Sequence, residues 1–169
     1  MRIPLIMLVE DSSIIREIVM HVLEKQLKVR VVSFESAESA IQNLDLYEPD
    51  VILMDYNLNS SSPLNMTGLQ FLKKMKLLGR SNSVIMMSGQ RDKNVTSEIL
   101  KSGAVNYLSK EDEGFMDNLV IQVKLILDVL EIDETQKEQK AELSKRIFRI
   151  SAFILIPLVI VMLSLYYLL

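Results

Sequence analysis

Five short apolar runs punctuate the first two thirds of the chain: Leu5 to Val9, Val29 to Phe34, Val51 to Met54, Val84 to Met87 and Val105 to Leu108. A run of this length, closed by polar or turn-forming residues, is what a strand buried on both faces presents. Between and after the runs, apolar positions recur at helical spacing. Ser12 or Ser13 can cap a first helix that carries Ile14, Ile15, Ile18, Val19, Val22 and Leu23 on one face. Ser36 to Leu46, Gly68 to Leu78, Lys93 to Ser102 and Phe115 to Leu130 supply four more helices. Five strand-then-helix units predict an α/β domain over residues 1–130, a parallel sheet with helices on both faces.

Beyond that domain the pattern changes twice. Glu131 to Arg149 lacks Gly and Pro and is rich in helix formers and charge. Asp133 with Lys137 and Glu142 with Arg146 stand four apart in the favourable acid-first order. Apolar positions there are too sparse for a heptad seam, so a solvated helical spacer is expected. Ile150 to Leu169 then carries no charged side chain. A helix of that length reaches roughly 30 Å, the thickness of a bilayer's hydrocarbon core. Its Leu, Ile, Val and Phe residues favour insertion by about 4 to 8 kcal/mol, and Pro157 is tolerated in such a helix. The expectation is a single transmembrane helix as a C-terminal anchor. Lys145, Arg146 and Arg149 precede it, which by the positive-inside rule leaves the N-terminal domain in the cytoplasm.

Charge and composition narrow the chemistry. The net charge is -3 and the pI about 5.3, with no basic face or helix-turn-helix pattern to bind nucleic acid. The chain has no Cys, which excludes disulfides, zinc ribbons and thiol nucleophiles. The opening apolar run is shorter than a secretory signal requires and is followed by no small-residue cleavage site; it reads as the first strand.

The polar residues at strand ends are the informative ones. Glu10 and Asp11 close the first run, Asp55 the third and Ser88 the fourth, and Lys110 follows the fifth. In a doubly wound sheet of order 2-1-3-4-5, strands one and three flank the switch point, so these groups share one crevice at the carboxyl edge. Three carboxylates at that distance repel by about 4 kcal/mol per 4 Å pair at an effective dielectric near 20. A hard divalent cation relieves the repulsion, and Mg²⁺ suits a site with few carboxylates and a phosphoryl oxygen. Asp55 could then attack phosphorus and form an aspartyl phosphate, with Lys110 and Ser88 contacting the added oxygens.

This constellation resembles the receiver domain of two-component response regulators, over roughly residues 1–128. The resemblance implies a flavodoxin-like fold and Mg²⁺, or Mn²⁺, bound by Glu10, Asp11, Asp55 and the backbone carbonyl of Asn57. It implies Asp55 as phosphoacceptor, Ser88 and Lys110 as its partners in the reaction, and Tyr107 as an aromatic switch residue. A histidine kinase or histidine phosphotransfer protein would donate the phosphoryl group. The fourth helix, fifth strand and fifth helix would form the surface for an effector protein or for a homodimer. The chain departs from the family pattern in several places: Glu111 follows Lys110 where Pro is usual, Gly68 stands thirteen rather than about eight residues after Asp55, the loop Asn59 to Thr67 is long, Gly89 stands where Ala is commonest, and Ser88 replaces the commoner Thr.

Two other readings compete. An aspartyl-nucleophile phosphatase of the haloacid dehalogenase class requires a second Asp two residues after the first, where this chain has Asn57; the chain is therefore not expected to be an enzyme. A receiver-like adaptor that binds partners at the membrane without phosphorylation is the alternative. The sole histidine, His21, lies in the first helix away from the strand ends, which leaves no internal phosphohistidine relay.

Overall fold

The structure, a computed structural model, describes residues 2–58, 65–80, 82–89 and 93–168. Five strands form one parallel sheet in the order β2-β1-β3-β4-β5: β1 Leu5–Val9, β2 Arg30–Phe34, β3 Val51–Asp55, β4 Ser83–Ser88 and β5 Asn106–Ser109. This is the doubly wound order expected from the apolar runs, with strand ends shifted by a residue at most at either end. Helices α1 (Ser13–Gln26) and α6 (Phe115–Leu168) follow β1 and β5. Helices α2 (Ala37–Gln42), α3 (Leu44–Tyr47), α4 (Gly68–Leu77) and α5 (Lys93–Lys101) supply the remaining crossovers.

Alternation along the strands divides the core in two. Met7, Val9, Ile52, Met54, Val84 and Met86 point to the side where Ala37, Ala40, Leu44, Phe71, Leu72, Met75 and Ile99 pack. Ile6, Leu8, Val51, Leu53, Ile85 and Met87 point to the other side, against Val19 and Leu23 of α1 and Leu119, Val120 and Val123 of α6. The central strands β1 and β3 are buried along their whole length, which is why they read as unbroken apolar runs.

Two helix expectations are corrected. The second helix, expected unbroken from Ser36 to Leu46, splits at Asn43, whose side-chain amide donates to the Ser39 carbonyl at 2.9 Å. A short amide side chain that bonds the backbone one turn back competes with helix propagation. The fifth helix, expected to end at Leu130, runs on to Leu168. No Gly lies between Phe115 and Leu168, and the first Pro is Pro157.

The chain divides into two units, Met1–Leu127 and Asp128–Leu169. In the second, Asp133 pairs with Lys137 at 2.6 Å and Glu142 with Arg146 at 3.4 Å, the two acid-first pairs expected in the spacer. The transmembrane helix expected over Ile150 to Leu169 does not emerge: among the described residues no helix is long and apolar enough to cross a membrane. The backbone to Leu168 is helical, but Leu169 and the side chains of 154, 158, 159, 161 and 164–168 lie outside the description, and the run read from sequence depends on them.

Candidate functional site

The sheet register brings the polar strand ends together. Val9 pairs with Met54 and Asp55 with Met87, so Glu10 and Asp11 leave β1 beside the last residue of β3. Each chain exit is held by one further bond to a neighbouring strand. The Glu10 N–H donates to the Phe34 carbonyl at 3.0 Å, the Tyr56 N–H to Met87 at 2.7 Å and the Lys110 N–H to Ser88 at 2.7 Å. These bonds fix where the three loops start and which way their first side chains face.

One carboxylate oxygen from each of Glu10, Asp11 and Asp55 lies within 4.8 Å of the others. Glu10 and Asp55 are almost completely buried, at 1% and 4% exposure. The Lys110 ammonium bridges them, 2.5 Å from Glu10 Oε2 and 3.0 Å from Asp55 Oδ2. Asp55 Oδ1 accepts from the Asn57 N–H at 3.2 Å, and Glu10 Oε1 from the Ser12 N–H at 3.4 Å. Burial holds the Glu10 carboxyl above the usual carboxylate range. The Asp55 charge pushes the same way, while the Lys110 ammonium and the Ser12 N–H pull it back. The site concentrates negative charge that one ammonium does not fully offset.

The structure therefore gathers Glu10, Asp11, Asp55, Asn57 and Lys110 in one crevice, and places the other expected residues around it. Ser88 is fully buried at the end of β4, paired in register with Ser109. Tyr107 pairs with Met86 and is half-buried against the core on the α2–α5 side. His21 is exposed on α1. Glu111 does not keep Lys110 from the site, because the Lys110 N–H is anchored on Ser88 before the side chain turns inward. Of the long loop, residues 59–64 lie outside the described residues.

Gly68 shows where that loop returns. A Cβ there would stand 2.6 Å from the Asp55 carbonyl oxygen and 2.9 Å from both Tyr56 Cα and Met86 Sδ. Only a residue without a side chain lets the start of α4 pack this closely on the end of β3. Thr67 and Gln70 form a capping box that fixes the helix start, and the Met66 N–H donates to Glu38 Oε1 at 2.5 Å. The greater sequence distance from Asp55 does not prevent this contact. Sequence reading also passed over Arg16. Its Nη1 donates to the carbonyls of Glu10 at 2.6 Å and Asp11 at 3.1 Å, and its Nη2 pairs with Glu35 at 2.7 Å. A cation near the start of a helix, where the dipole disfavours it, was the available signal.

The donors suit a hard divalent cation: all three are carboxylate oxygens, two of them buried, and the set lacks the nitrogen or sulfur that would favour a softer metal. A family model for the response regulator receiver domain matches residues 6–120. The chain belongs to the receiver domain family. This receiver is 36% identical over 124 residues to the phosphate regulon transcriptional regulatory protein PhoB of Klebsiella pneumoniae, covering 72% of this chain and 51% of that one. It is 30% identical over 122 residues to the transcriptional regulatory protein DegU of Brevibacillus brevis, covering 72% and 49%. The receiver spans about half the length of these curated relatives. Among solved structures, a response regulator receiver domain protein from Methanospirillum hungatei superposes with a TM-score of 0.66 at 22% identity, over 78% of this chain and 99% of that one, a likeness of fold.

Proposed function

We propose that this receiver accepts a phosphoryl group on Asp55 in a two-component phosphorelay and that the modified state alters a protein-binding surface. The observation that carries this reading is the cluster of Glu10, Asp11 and Asp55 with Lys110 laid across it. Mg²⁺, or Mn²⁺ in its place, would be held by Glu10, Asp11, Asp55 and the carbonyl of Asn57. When bound it supplies charge neutralisation and a contact for the incoming phosphoryl oxygens. Asp55 provides the nucleophilic oxygen. As its bond to phosphorus forms, the bond from phosphorus to the donor breaks, and the donor leaves with the electron pair. The donor is a phosphohistidine of a kinase or phosphotransfer protein, or a small acyl phosphate.

Lys110 and Ser88 then follow the new charge. The Lys110 ammonium shifts from the carboxylates to a phosphoryl oxygen, and the Ser88 hydroxyl donates to another. A charge-assisted contact of this kind contributes about 1.5 to 3 kcal/mol, and two of them suffice to invert a two-state population that starts near 1:10. Ser88 precedes α5 and Lys110 ends the segment carrying Tyr107. The surface of α5, β5 and α6 is therefore where an effector protein or a second copy would sense the change, with Tyr107 as the switch residue. No hydrolytic site is part of this reading, because Asn57 stands where a haloacid-dehalogenase-type acid would be needed. Attachment to a membrane through Ile150 to Leu169, single-pass with the receiver in the cytoplasm, is supported by the uncharged run and the basic residues before it. Incubation of the full-length protein with acetyl phosphate and Mg²⁺ tests the proposal: one phosphoryl group on the wild type and none on Asp55→Asn is expected, and equal labelling of both refutes it.

A further inference from the structure

Arg16 is a permanent cation one turn into α1, a place the helix dipole disfavours, and α1 carries no acidic residue in its first turn to compensate. Its side chain is nonetheless largely buried, at 13% exposure. A single nitrogen, Nη1, reaches two consecutive carbonyls of the β1–α1 turn, those of Glu10 at 2.6 Å and Asp11 at 3.1 Å. These are two of the three residues whose side chains form the acidic cluster. The other arm, Nη2, pairs at 2.7 Å with Glu35, which is 77% exposed. The guanidinium thus spends its strongest contacts on the backbone of the acidic pair, while its ion pair lies at the rim, where such pairs contribute little.

We infer that Arg16 is a positioning residue for the cation site: by holding the carbonyls of Glu10 and Asp11 it fixes the peptide planes of the turn and thereby the direction in which both carboxylates leave it. The inference rests on the metal reading above. Two adjacent carboxylates on a free turn would rotate apart to lower their repulsion, and a cation would then have to draw them together again. Tethering the carbonyls on the far side of the turn removes that freedom before the cation arrives. Arg16 meets the acidic pair at its two backbone carbonyls, and its effect is transmitted through the backbone, as outer partners of metal ligands commonly act.

The test is the affinity of the full-length protein for Mn²⁺ alone, read from the electron paramagnetic resonance signal of free Mn²⁺, with folding stability measured separately in urea. Arg16→Met, which keeps the apolar stem, is expected to weaken Mn²⁺ binding about tenfold or more. Arg16→Lys is expected to recover most of the loss, because both carbonyl bonds come from one nitrogen and an ammonium can make them. Glu35→Ala, which removes only the exposed arm, is expected to stay within about threefold of wild type. Val123→Ala, a core change on α6, controls for stability: it should weaken folding and leave Mn²⁺ affinity unchanged. Should Arg16→Met fail to fold, Arg16→Gln, too short to span both carbonyls, carries the same expectation. Wild-type affinity in the folded Met or Gln variant overturns the inference alone, as does a loss in Glu35→Ala equal to that in Arg16→Met. A wild-type protein without Mn²⁺ affinity overturns the metal reading and this inference with it.

Discussion

Replacing Lys110 with Met separates the two roles given to that residue. Its ammonium lies 2.5 Å from Glu10 Oε2 and 3.0 Å from Asp55 Oδ2. At an effective dielectric near 20 each contact is worth about 6 kcal/mol of Coulomb attraction, most of it offset by the cost of desolvating the charges. Removing one partner of a buried pair typically costs about 3 to 5 kcal/mol, because the remaining charge is left without compensation. Lys110 keeps some exposure, at 15%, and Glu10 already sits above the usual carboxylate range and can relieve the strain by taking up a proton. The expected loss without added Mg²⁺ is therefore about 2 to 4 kcal/mol. Mg²⁺ acts in the opposite direction. In the wild type the cation must displace an ammonium from the same oxygens; in Lys110→Met it meets two uncompensated carboxylates. At a hundredfold excess over Kd a ligand stabilises by about 2.7 kcal/mol, and the variant, with the lower Kd, should gain more than the wild type at every Mg²⁺ concentration. Urea unfolding of both proteins across a Mg²⁺ series measures this. A variant as stable as wild type without Mg²⁺, or one that gains less from Mg²⁺, would refute the claim that Lys110 holds the place a cation takes. Phosphoryl uptake by the variant should be slower in either case, since the group that contacts the incoming oxygens is gone.

Gly68→Ala should lower stability by about 1 to 2 kcal/mol, the overpacking against the Asp55 and Tyr56 backbone being only partly offset by the helix propensity of Ala. Gly89→Ala, with nothing near its added Cβ, is the control expected to show no loss by urea unfolding, and equal stability of the two variants would remove the close-approach argument. The raised Glu10 pKa gives a pH prediction. The folded protein holds the Glu10 proton more tightly than the unfolded chain, whose ordinary value is 4.5, so Glu10 lowers stability as pH rises from 4.5 through the raised value, and cation binding is lost as pH falls through that same window. Mn²⁺ titrations should show binding failing above the pH at which ordinary carboxylates protonate, and an unchanged profile in Glu10→Gln would assign the loss to another group. Carbonate extraction of cells expressing the full chain should leave it in the membrane fraction; release into the supernatant would end the anchor reading.

Most of the fold was legible because the central strands are buried on both faces and so appear as uninterrupted apolar runs, each ending where a polar residue leaves the sheet. Asp55 was the clearest case, since no helix begins there to need a cap. The split at Asn43 was not legible, because the apolar spacing carries straight through it and only a side-chain bond to Ser39 interrupts the helix. The roles of Arg16 and Gly68 were hidden for a related reason. Both act on backbone atoms: Arg16 on two carbonyls, Gly68 through the absence of a Cβ against Asp55 and Tyr56. A hydrophobic pattern describes side chains and is silent about such contacts. The spacing from Asp55 to Gly68 even pointed away from this contact.

Intact-mass analysis of the full-length protein after incubation with acetyl phosphate decides whether Asp55 is the phosphoacceptor. A single added phosphoryl group is expected in the presence of Mg²⁺, none after chelation of the metal, and none in Asp55→Asn at any Mg²⁺ concentration. Absence of the adduct on the wild type, under conditions that label another receiver in the same tube, or its persistence on Asp55→Asn, would contradict it.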